Sequence, residues 1–340
     1  MPFDTERLEI KGTPVPVLDG LLTSSAFGWA AFAATAEGVL AHVQGAEPTG
    51  VDQLAWLDRA GRLAAIGDRR YFLGVRLSPT GDRAAVRVSG ANDTLWIQEF
   101  RRGGGFSRLT FRGNVTGAIW TPNGQRIIYN IGNEIASIAA DGSGDDRTLL
   151  QDAFTGVPTT VTPDGKTVLY DTNRPGTGWD VWALSVEDKK ASPVLAASYA
   201  ERFARLSPDG RWMAYTSNET GQEEVYVQSF PALGKKFKVS PAGGSLPVWS
   251  PAGTELYFRR GPQLFAVPIR VTSQSFDYDP PLERPVIGDL PETRVGLDSF
   301  DAARDGRLFV IQTSPPPLPT AFHLVTGWLD EVRSRVAPAR

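Results

Sequence analysis

The two histidines, His42 and His323, lie near opposite ends of the sequence. A fold that joins the chain ends could bring them together as an acid–base pair. Serine nucleophiles need such a base, oriented by a carboxylate, and many sit in a Gly-x-Ser-x-Gly turn that this sequence lacks. With no cysteine in the chain, a thiol nucleophile is excluded too. We therefore expect both histidines to be structural and predict no catalytic residues.

Four carboxylates could bind a cation if the fold made three of them converge. They are Asp93, Asp180, Glu223 and Glu224. Carboxylate oxygens are the ligands that Ca²⁺ prefers, so a metal-dependent hydrolase or lactonase is the alternative function. The segment 141–146, followed by Asp152, imitates a calcium loop but has Asp146 where the sharp turn needs glycine. We interpret this segment as a plain turn. We expect no cofactor, and the one candidate is a Ca²⁺ ion held by carboxylates in a central channel of the fold.

A third group of residues could bind a ligand without catalysis. Aromatic and arginine side chains, the types enriched at binding hot spots, recur in the segments that precede the apolar runs. We predict a ligand-binding set consisting of Tyr71, Phe111, Arg112, Phe154, Tyr199 and Arg202. The alternative is that these aromatic rings pack between neighbouring repeats.

The elements that must position these residues are repeated tight turns. The segment Leu206–Tyr215 places Ser-Pro-Asp-Gly between two short apolar runs, and related turns recur along the chain. Proline fixes φ at the first corner, and glycine takes the left-handed position that closes a hairpin. The turn glycines are Gly38, Gly81, Gly124, Gly165, Gly210, Gly253 and Gly306. A spacing of roughly 40 to 45 residues with several short strands per repeat is typical of β-propeller blades.

The strand pattern predicts an all-β fold, a single seven-bladed propeller of four-stranded antiparallel blades over residues 1–340, with six blades as the alternative. The last repeat lacks a fourth strand, while residues 13–18 supply a spare one whose two prolines suit an outer edge. We therefore expect residues 13–18 to complete the last blade. The proline-rich insertion Thr272–Gly296 should hold one fourth strand at 285–287. Residues 328–340 form a tail, in which Trp328–Val336 is either a short amphipathic helix or a frayed end.

Composition narrows the partners. The formal net charge is −3 with no long run of one sign, which argues against a nucleic-acid surface. No run of about 18 apolar residues occurs, and the start lacks the basic and then apolar pattern of a leader. From the sequence we expect no membrane insertion and no signal peptide in this chain.

The repeats resemble the WD-repeat-like, PD-type blades of the TolB-like propeller superfamily. The resemblance is carried by Leu206–Gly221 followed by Val225-Tyr226-Val227, and by Trp249-Ser250-Pro251 with Leu256-Tyr257-Phe258. It covers nearly the whole chain and implies a propeller fold. Members of the superfamily often have six blades.

A narrower resemblance is to the extracytoplasmic propeller of bacterial receptor-type serine/threonine kinases. Its marks are Pro2–Ile10, Pro14–Leu18 and Tyr226–Pro231 ahead of Gly243-Gly244. The resemblance implies an extracytoplasmic location and a sensor role for a piece of a longer receptor. Kinase activity is not implied, because the glycine-rich loop, His-Arg-Asp and Asp-Phe-Gly motifs are absent.

Together these observations predict a non-catalytic binding, scaffold or sensor propeller. Its partner would be a protein, a peptide or a small ligand bound at the channel mouth, where loops from each fourth strand to the next first strand converge. The sequence leaves the ligand and the oligomeric state open.

Overall fold

A computed structural model describes residues 3–4, 9–10, 18, 20–24, 29–44, 52–101, 104–272, 275–284, 298–313 and 321–335. The chain divides into two compact units instead of the single domain expected over residues 1–340. The terminal unit comprises Met1–Thr49 and Pro315–Arg340, and the ring unit comprises Gly50–Ser314. The terminal unit begins with six short strands: β1 (Phe3–Asp4), β2 (Glu9–Ile10), β3 (Thr23–Ser24), β4 (Trp29–Ala30), β5 (Phe32–Ala34) and β6 (Val39–His42).

Among the described residues of the ring unit, the regular secondary structure consists of β-strands. They are β7 (Asp52–Leu57), β8 (Leu63–Arg70), β9 (Phe72–Leu77), β10 (Arg83–Val88), β11 (Thr94–Glu99), β12 (Phe106–Arg108), β13 (Ala118–Trp120), β14 (Arg126–Ile131), β15 (Glu134–Ala139), β16 (Arg147–Gln151), β17 (Gly156–Val161), β18 (Thr167–Arg174), β19 (Gly178–Ser185), β20 (Ala191–Leu195), β21 (Glu201–Leu206), β22 (Trp212–Ser217), β23 (Glu224–Ser229), β24 (Phe237–Lys238), β25 (Ser245–Trp249), β26 (Glu255–Arg260), β27 (Gln263–Val271), β28 (Phe276–Tyr278), β29 (Leu282–Arg284), β30 (Phe300–Ala302) and β31 (Leu308–Thr313).

These strands form six antiparallel sheets arranged in a closed ring, which confirms the all-β propeller. The first strand of each sheet (β9, β13, β17, β21, β25 and β30) contacts the first strand of the next, and β30 contacts β9. Six buried apolar clusters each join two neighbouring sheets, as where Trp120 and Ile127 pack with Leu95. Burial of these layers between sheets is the main source of stability.

The ring closes by sharing one blade between its two ends, in the order β30–β31–β7–β8. Strand β31 pairs with β7 over six residues, from Leu308 opposite Leu57 to Thr313 opposite Asp52. The expected closure by residues 13–18 is therefore wrong for this blade, because β7 and β8 already occupy its two outer places. Residues 13–17 themselves lie outside the described residues.

The seven turn copies give six blades because the first copy lies outside the ring. Residues 35–38 connect β5 to β6, and β6 pairs with β32 (His323–Thr326) in a three-stranded sheet of the terminal unit. Helix α1 (Trp328–Arg335) follows, and the Gly327 N–H donates to the Gly38 carbonyl at 2.8 Å. The expectation of seven blades is thus corrected to six sheets in the ring. No helix among the described residues has the length and apolar character needed to cross a membrane.

The insertion before the last blade contributes strands earlier than predicted. The nine-residue strand β27 pairs with β28 along its second half and with β29 along its first half. The fourth-strand position is therefore taken by Leu282–Arg284, and the predicted strand at 285–287 lies outside the described residues.

Candidate functional site

One repeated position on the innermost strands, five residues before each of the six turn glycines of the ring, carries a charged side chain in three of the six sheets. The six residues at this position are Arg76, Ile119, Thr160, Arg205, Val248 and Asp301. Arg76 on β9 and Arg205 on β21 come from opposite sides of the ring, three sheets apart. Both reach the Asp298 carboxylate, with N–O distances of 2.8 and 3.5 Å. One carboxylate therefore links two sides of the central channel.

A third arginine reaches the neighbouring residue. Arg259 on β26 donates from Nη1 to the Ser299 hydroxyl at 2.8 Å. The Asp298 carbonyl accepts from the Val75 N–H and the Ser299 carbonyl accepts from the Ile311 N–H, both at 2.8 Å. We call Arg76, Arg205, Arg259, Asp298 and Ser299 the arginine cluster. It combines residues of four different sheets at the start of β30.

The arginines of this cluster have more donors than partners. The Arg76 residue is 5% exposed and its Nε and Nη1 lack a hydrogen-bond partner. The Arg259 residue is 1% exposed and its Nε and Nη2 lack one too. Burial lowers the pKa of the Arg259 guanidinium to about 10, so the group stays cationic at neutral pH. Buried charges are normally paired, so unpartnered donors here call for an explanation.

The backbone of the two channel arginines is held by tryptophans of the next sheet. Trp120 Nε1 donates to the Arg76 carbonyl and Trp249 Nε1 to the Arg205 carbonyl, each at 2.9 Å. The Asp301 carboxylate accepts from the Leu77 N–H at 2.8 Å, adding a third link between neighbouring inner strands. The backbone at Arg76 and Arg205 is therefore tied to the neighbouring sheets.

A second repeated position, six residues after each of the six turn glycines of the ring, is polar in every sheet and lies on the second strand of that sheet. Its members are Arg87, Asn130, Asp171, Thr216, Arg259 and Gln312. Asp171 accepts from the Phe203 N–H at 2.8 Å, and Thr216 accepts from the Leu246 N–H at 3.2 Å. Phe203 and Leu246 have φ values of 57° and 58°, a conformation that costs bulky residues free energy. Asp171 and Thr216 therefore each accept a hydrogen bond from strained backbone on the first strand of the next sheet.

Among the residues at this repeated polar position, Asp171 has a pKa near neutrality. It is buried, and one carboxylate oxygen has no partner. Burial raises the pKa of Asp171 to about 7, and the Phe203 N–H and the positive charge of Arg202 offset only part of that effect.

The six residues predicted to bind a ligand fall into separate contact groups. The exposed Phe111 lies against Arg108, whose Cζ is 5.1 Å from the ring centre. Arg112 forms ion pairs with Glu134 and Asp146 at 3.4 and 3.7 Å. The Phe111 contact lies at the end of β12 and the Arg112 ion pairs lie at β15 and the β15–β16 connection, and neither involves the arginine cluster.

Of the other predicted residues, Phe154 and Tyr199 lie beside cationic side chains, and Arg202 itself lies over an aromatic ring. Arg174 lies over Phe154 at 5.0 Å, and Arg202 lies over Trp179 at 4.1 Å. Lys236 lies 5.9 Å from the Tyr199 ring centre. Tyr71 is half-buried and its carbonyl accepts from the Ser89 N–H. Of the six, Arg202 is adjacent in sequence to the strained residue Phe203. Their role in binding stays a prediction.

The four candidate metal-binding carboxylates have different surroundings. Asp180 accepts from the Thr177 hydroxyl at 2.7 Å, and Asp93 is half-buried. Glu223 is exposed, whereas hydrogen bonds to its buried neighbour Glu224 lower the pKa of Glu224 to about 2. Within the described ranges, no three His, Asp or Glu side chains form a group that could hold a metal ion.

The two histidines do come together, although not in the ring. His42 pairs with His323 across β6 and β32, and their rings stack with centroids 5.1 Å apart. The segment 141–146 is the connection between β15 and β16, with the Asp141 carboxylate accepting from the Ser143 N–H at 2.9 Å. The interpretation of that segment as a plain turn instead of a calcium loop stays a prediction.

Sequence reasoning missed the arginine cluster, although a signal was present. Arg76 and Arg205 interrupt apolar runs at the same distance from their turn glycines, where an innermost strand should be apolar. Asp171 and Arg259 each follow an apolar triplet at a constant spacing. Asp298 had no such signal, because it precedes a short strand after the long insertion.

Comparison with known proteins identifies the architecture. No protein-family model matches the sequence, and neither does any curated protein. Among solved structures, a putative TolB from Agrobacterium tumefaciens matches with a TM-score of 0.62 and 14% identity, over 78% of this chain and 99% of that one. Hydrazine synthase of Kuenenia stuttgartiensis matches with a TM-score of 0.55 and 14% identity, over 94% and 99%. A nidogen/laminin complex structure matches with a TM-score of 0.53 and 10% identity, over 70% and 88%. Such low identities establish fold alone, and the chain has a TolB-like β-propeller fold.

Proposed function

We propose that this chain is a non-catalytic binding module that holds a protein segment, a peptide or a small ligand at the mouth of its channel. The observation that carries the proposal is the arginine cluster. Three arginines from three sheets reach two adjacent residues, and neighbouring strands hold the backbone of those that face each other. Pre-organised polar groups inside a concave ring are typical of ligand sites.

The proposed binding face is the end of the ring where fourth strands connect to first strands. Asp298 lies in one such connection, directly before β30. Tyr71, Phe111 and Tyr199 lie in three others, so they would form a rim around the same channel end. Phe154, Arg112 and Arg202 complete this proposed rim. Aromatic and arginine side chains there would supply contact area, and the arginine cluster would supply charge recognition.

A pull-down or ligand screen tests this proposal. We expect the triple variant Tyr71→Ala/Arg112→Ala/Tyr199→Ala to bind any partner of the wild type at least tenfold more weakly. The control is Asp164→Ala/Lys166→Ala, which changes two residues of the opposite, turn-bearing end. Circular dichroism of both variants shows whether the ring is folded. A partner that binds the rim variant as tightly as the wild type would place the binding face elsewhere.

The sensor role rests on the resemblance to receptor-kinase propellers, and we propose it as the biological setting of the same site. A metal-dependent hydrolase is the rival function. It would need a divalent ion bound in stoichiometric amount to purified protein, together with hydrolytic activity that chelation abolishes. Elemental analysis of the protein distinguishes the two, and that pair of results would replace the binding proposal.

A further inference from the structure

We infer that Arg259 and Ser299 form the carboxylate-binding point of this channel, so that the ligand of the proposed binding module carries an acidic group. The inference rests on the proposed function and adds the chemical class of the ligand. It starts from a contrast within the arginine cluster. The chain supplies a carboxylate, that of Asp298, to Arg76 and Arg205. It supplies only a hydroxyl, that of Ser299, to Arg259.

The unpartnered atoms of Arg259 have the geometry of a carboxylate site. Nε and Nη2 carry their hydrogens on the same edge of the planar guanidinium, and this edge binds the two oxygens of a carboxylate side-on. Nη1, on another edge, is already bonded to Ser299. The Ser299 oxygen accepts that bond, so its own hydrogen is available to a second acceptor. A ligand carboxylate would therefore meet a fork of two donors on a guanidinium whose third nitrogen is held by the Ser299 hydroxyl.

The surroundings of Arg259 favour an incoming anion. Within the described part of the chain no carboxylate forms an ion pair with Arg259, and burial alone accounts for its lowered pKa. A buried cation without a partner is costly, and an anion that binds beside it removes that cost. Arg259 is also the second-last residue of β26, at the strand end that faces the fourth-to-first connections. Arg259 pairs with Ser245, the first residue of β25, so it lies at the end of its strand nearer the proposed mouth.

A carboxylate fits this site better than a phosphate. One guanidinium fork and one hydroxyl neutralise a single negative charge, whereas a phosphate group near pH 7 carries between one and two. Arg76 and Arg205, the other cations of the cluster, already share Asp298. The acidic group could belong to a small organic acid or to a peptide, and the experiment separates these sources.

The experiment measures binding to the full chain by calorimetry and by the shift of the melting temperature. The probes are succinate, a pentaglutamate peptide and inorganic phosphate, each against sodium chloride at the same ionic strength. We expect a carboxylate probe to bind wild type and to raise its melting temperature in a concentration-dependent manner. If succinate and pentaglutamate bind no better than chloride, or if phosphate binds best, the inference is overturned. Binding of pentaglutamate alone indicates a peptide, and binding of both acids indicates a small acid.

Two variants separate ligand binding from a structural role. Arg259→Met removes the buried charge, and we expect at least a tenfold loss of carboxylate affinity with an equal or higher melting temperature. Arg259→Lys keeps the charge but loses the fork, and it should also weaken binding at least tenfold. The control is the neighbouring Arg260→Met, whose side chain stacks on Phe265 and should leave the affinity unchanged. A destabilised Arg259→Met that still binds carboxylate would show that Arg259 is structural.

Failure of this inference can be told apart from failure of the binding proposal. If the rim variant loses its partner while Arg259→Met retains it, the binding face stands and the acid site falls. If carboxylates bind at Arg259 while the rim variant keeps its partner, the reverse holds.

Discussion

Replacing Asp171 by asparagine should stabilise the protein at pH 8 and leave it unchanged near pH 4. The Asp171 side chain is 2% exposed, and one of its oxygens accepts the Phe203 N–H. Asparagine keeps an oxygen for that bond but carries no charge. The variant therefore removes the ionisation of a buried carboxyl while preserving the hydrogen bond that holds the strained backbone at Phe203.

The magnitude follows from the pKa of Asp171, which burial raises from 3.8 to about 7. Between pH 3.8 and about pH 7, Asp171 keeps its proton in the folded protein but has released it in the unfolded chain. Stability therefore falls as pH rises through this window, and the loss is complete above pH 7. A shift of this size corresponds to about 4 kcal/mol at pH 8, as an upper bound. The asparagine variant should gain up to that amount relative to wild type.

Urea denaturation at a series of pH values between 4 and 8 measures the effect. The wild-type and Asp171→Asn curves should diverge with rising pH, and most of the difference should develop between pH 5 and pH 7. Glu187→Gln, which changes an exposed carboxylate, is the control and should follow wild type within about 0.5 kcal/mol. An asparagine variant that is less stable than wild type at pH 8 would refute the assignment of a costly buried charge to Asp171.

Two further predictions concern the ring itself. Phe309→Ala on β31 should lower the free energy of unfolding by about 3–5 kcal/mol, because this fully buried phenyl group packs where the two chain ends share a blade. The control Phe111→Ala, at a 78% exposed residue, should lower it by less than about 0.5 kcal/mol. Equal melting temperatures for the two variants would contradict the closure. Gly210→Ala should lower the free energy of unfolding, measured by thermal denaturation, by about 1–2 kcal/mol more than Gly81→Ala. The two glycines have similar φ values, +73° and +75°, but only at Gly210 would the new methyl group lie 2.7 Å from Pro163 Cδ. Equal losses of stability would show that the turn relaxes freely.

The sequence predicted the blades because each blade is specified locally. A turn such as Ser207–Gly210 fixes a hairpin through its own proline, aspartate and glycine, and the flanking apolar runs determine which faces are buried. The blade number could not be predicted in the same way. It depends on whether β31 pairs with β7, from the start of the ring unit, or with β32, the strand that follows β31 in sequence. Both candidates have similar β-forming composition. Pairing between Leu308 and Leu57 joins residues about 250 positions apart, which no local pattern specifies.

The candidate site was harder to predict for a related reason. Arg76, Arg205 and Asp298 acquire their meaning from convergence across the ring, since each alone reads as a charged residue in or before a strand. The aromatic residues were predicted from their type and their place between strands. In the structure, Phe154 and Tyr199 contact nearby cations, Arg174 and Lys236. The repeated polar position on the second strands was visible in the sequence, and its spacing from the turn glycine is the observation that could have pointed to Arg259.

The most direct test of carboxylate binding at Arg259 is a crystal structure of the full chain grown with a bromine-labelled carboxylate and measured at the bromine absorption edge. We expect an anomalous peak inside the channel, with carboxylate oxygens about 2.7–2.9 Å from Arg259 Nε and Nη2. We also expect the peak to disappear in Arg259→Met crystals. Bromine peaks confined to the outer surface, with the Arg259 fork bonded to water or to a carboxylate of the chain, would contradict carboxylate binding at Arg259.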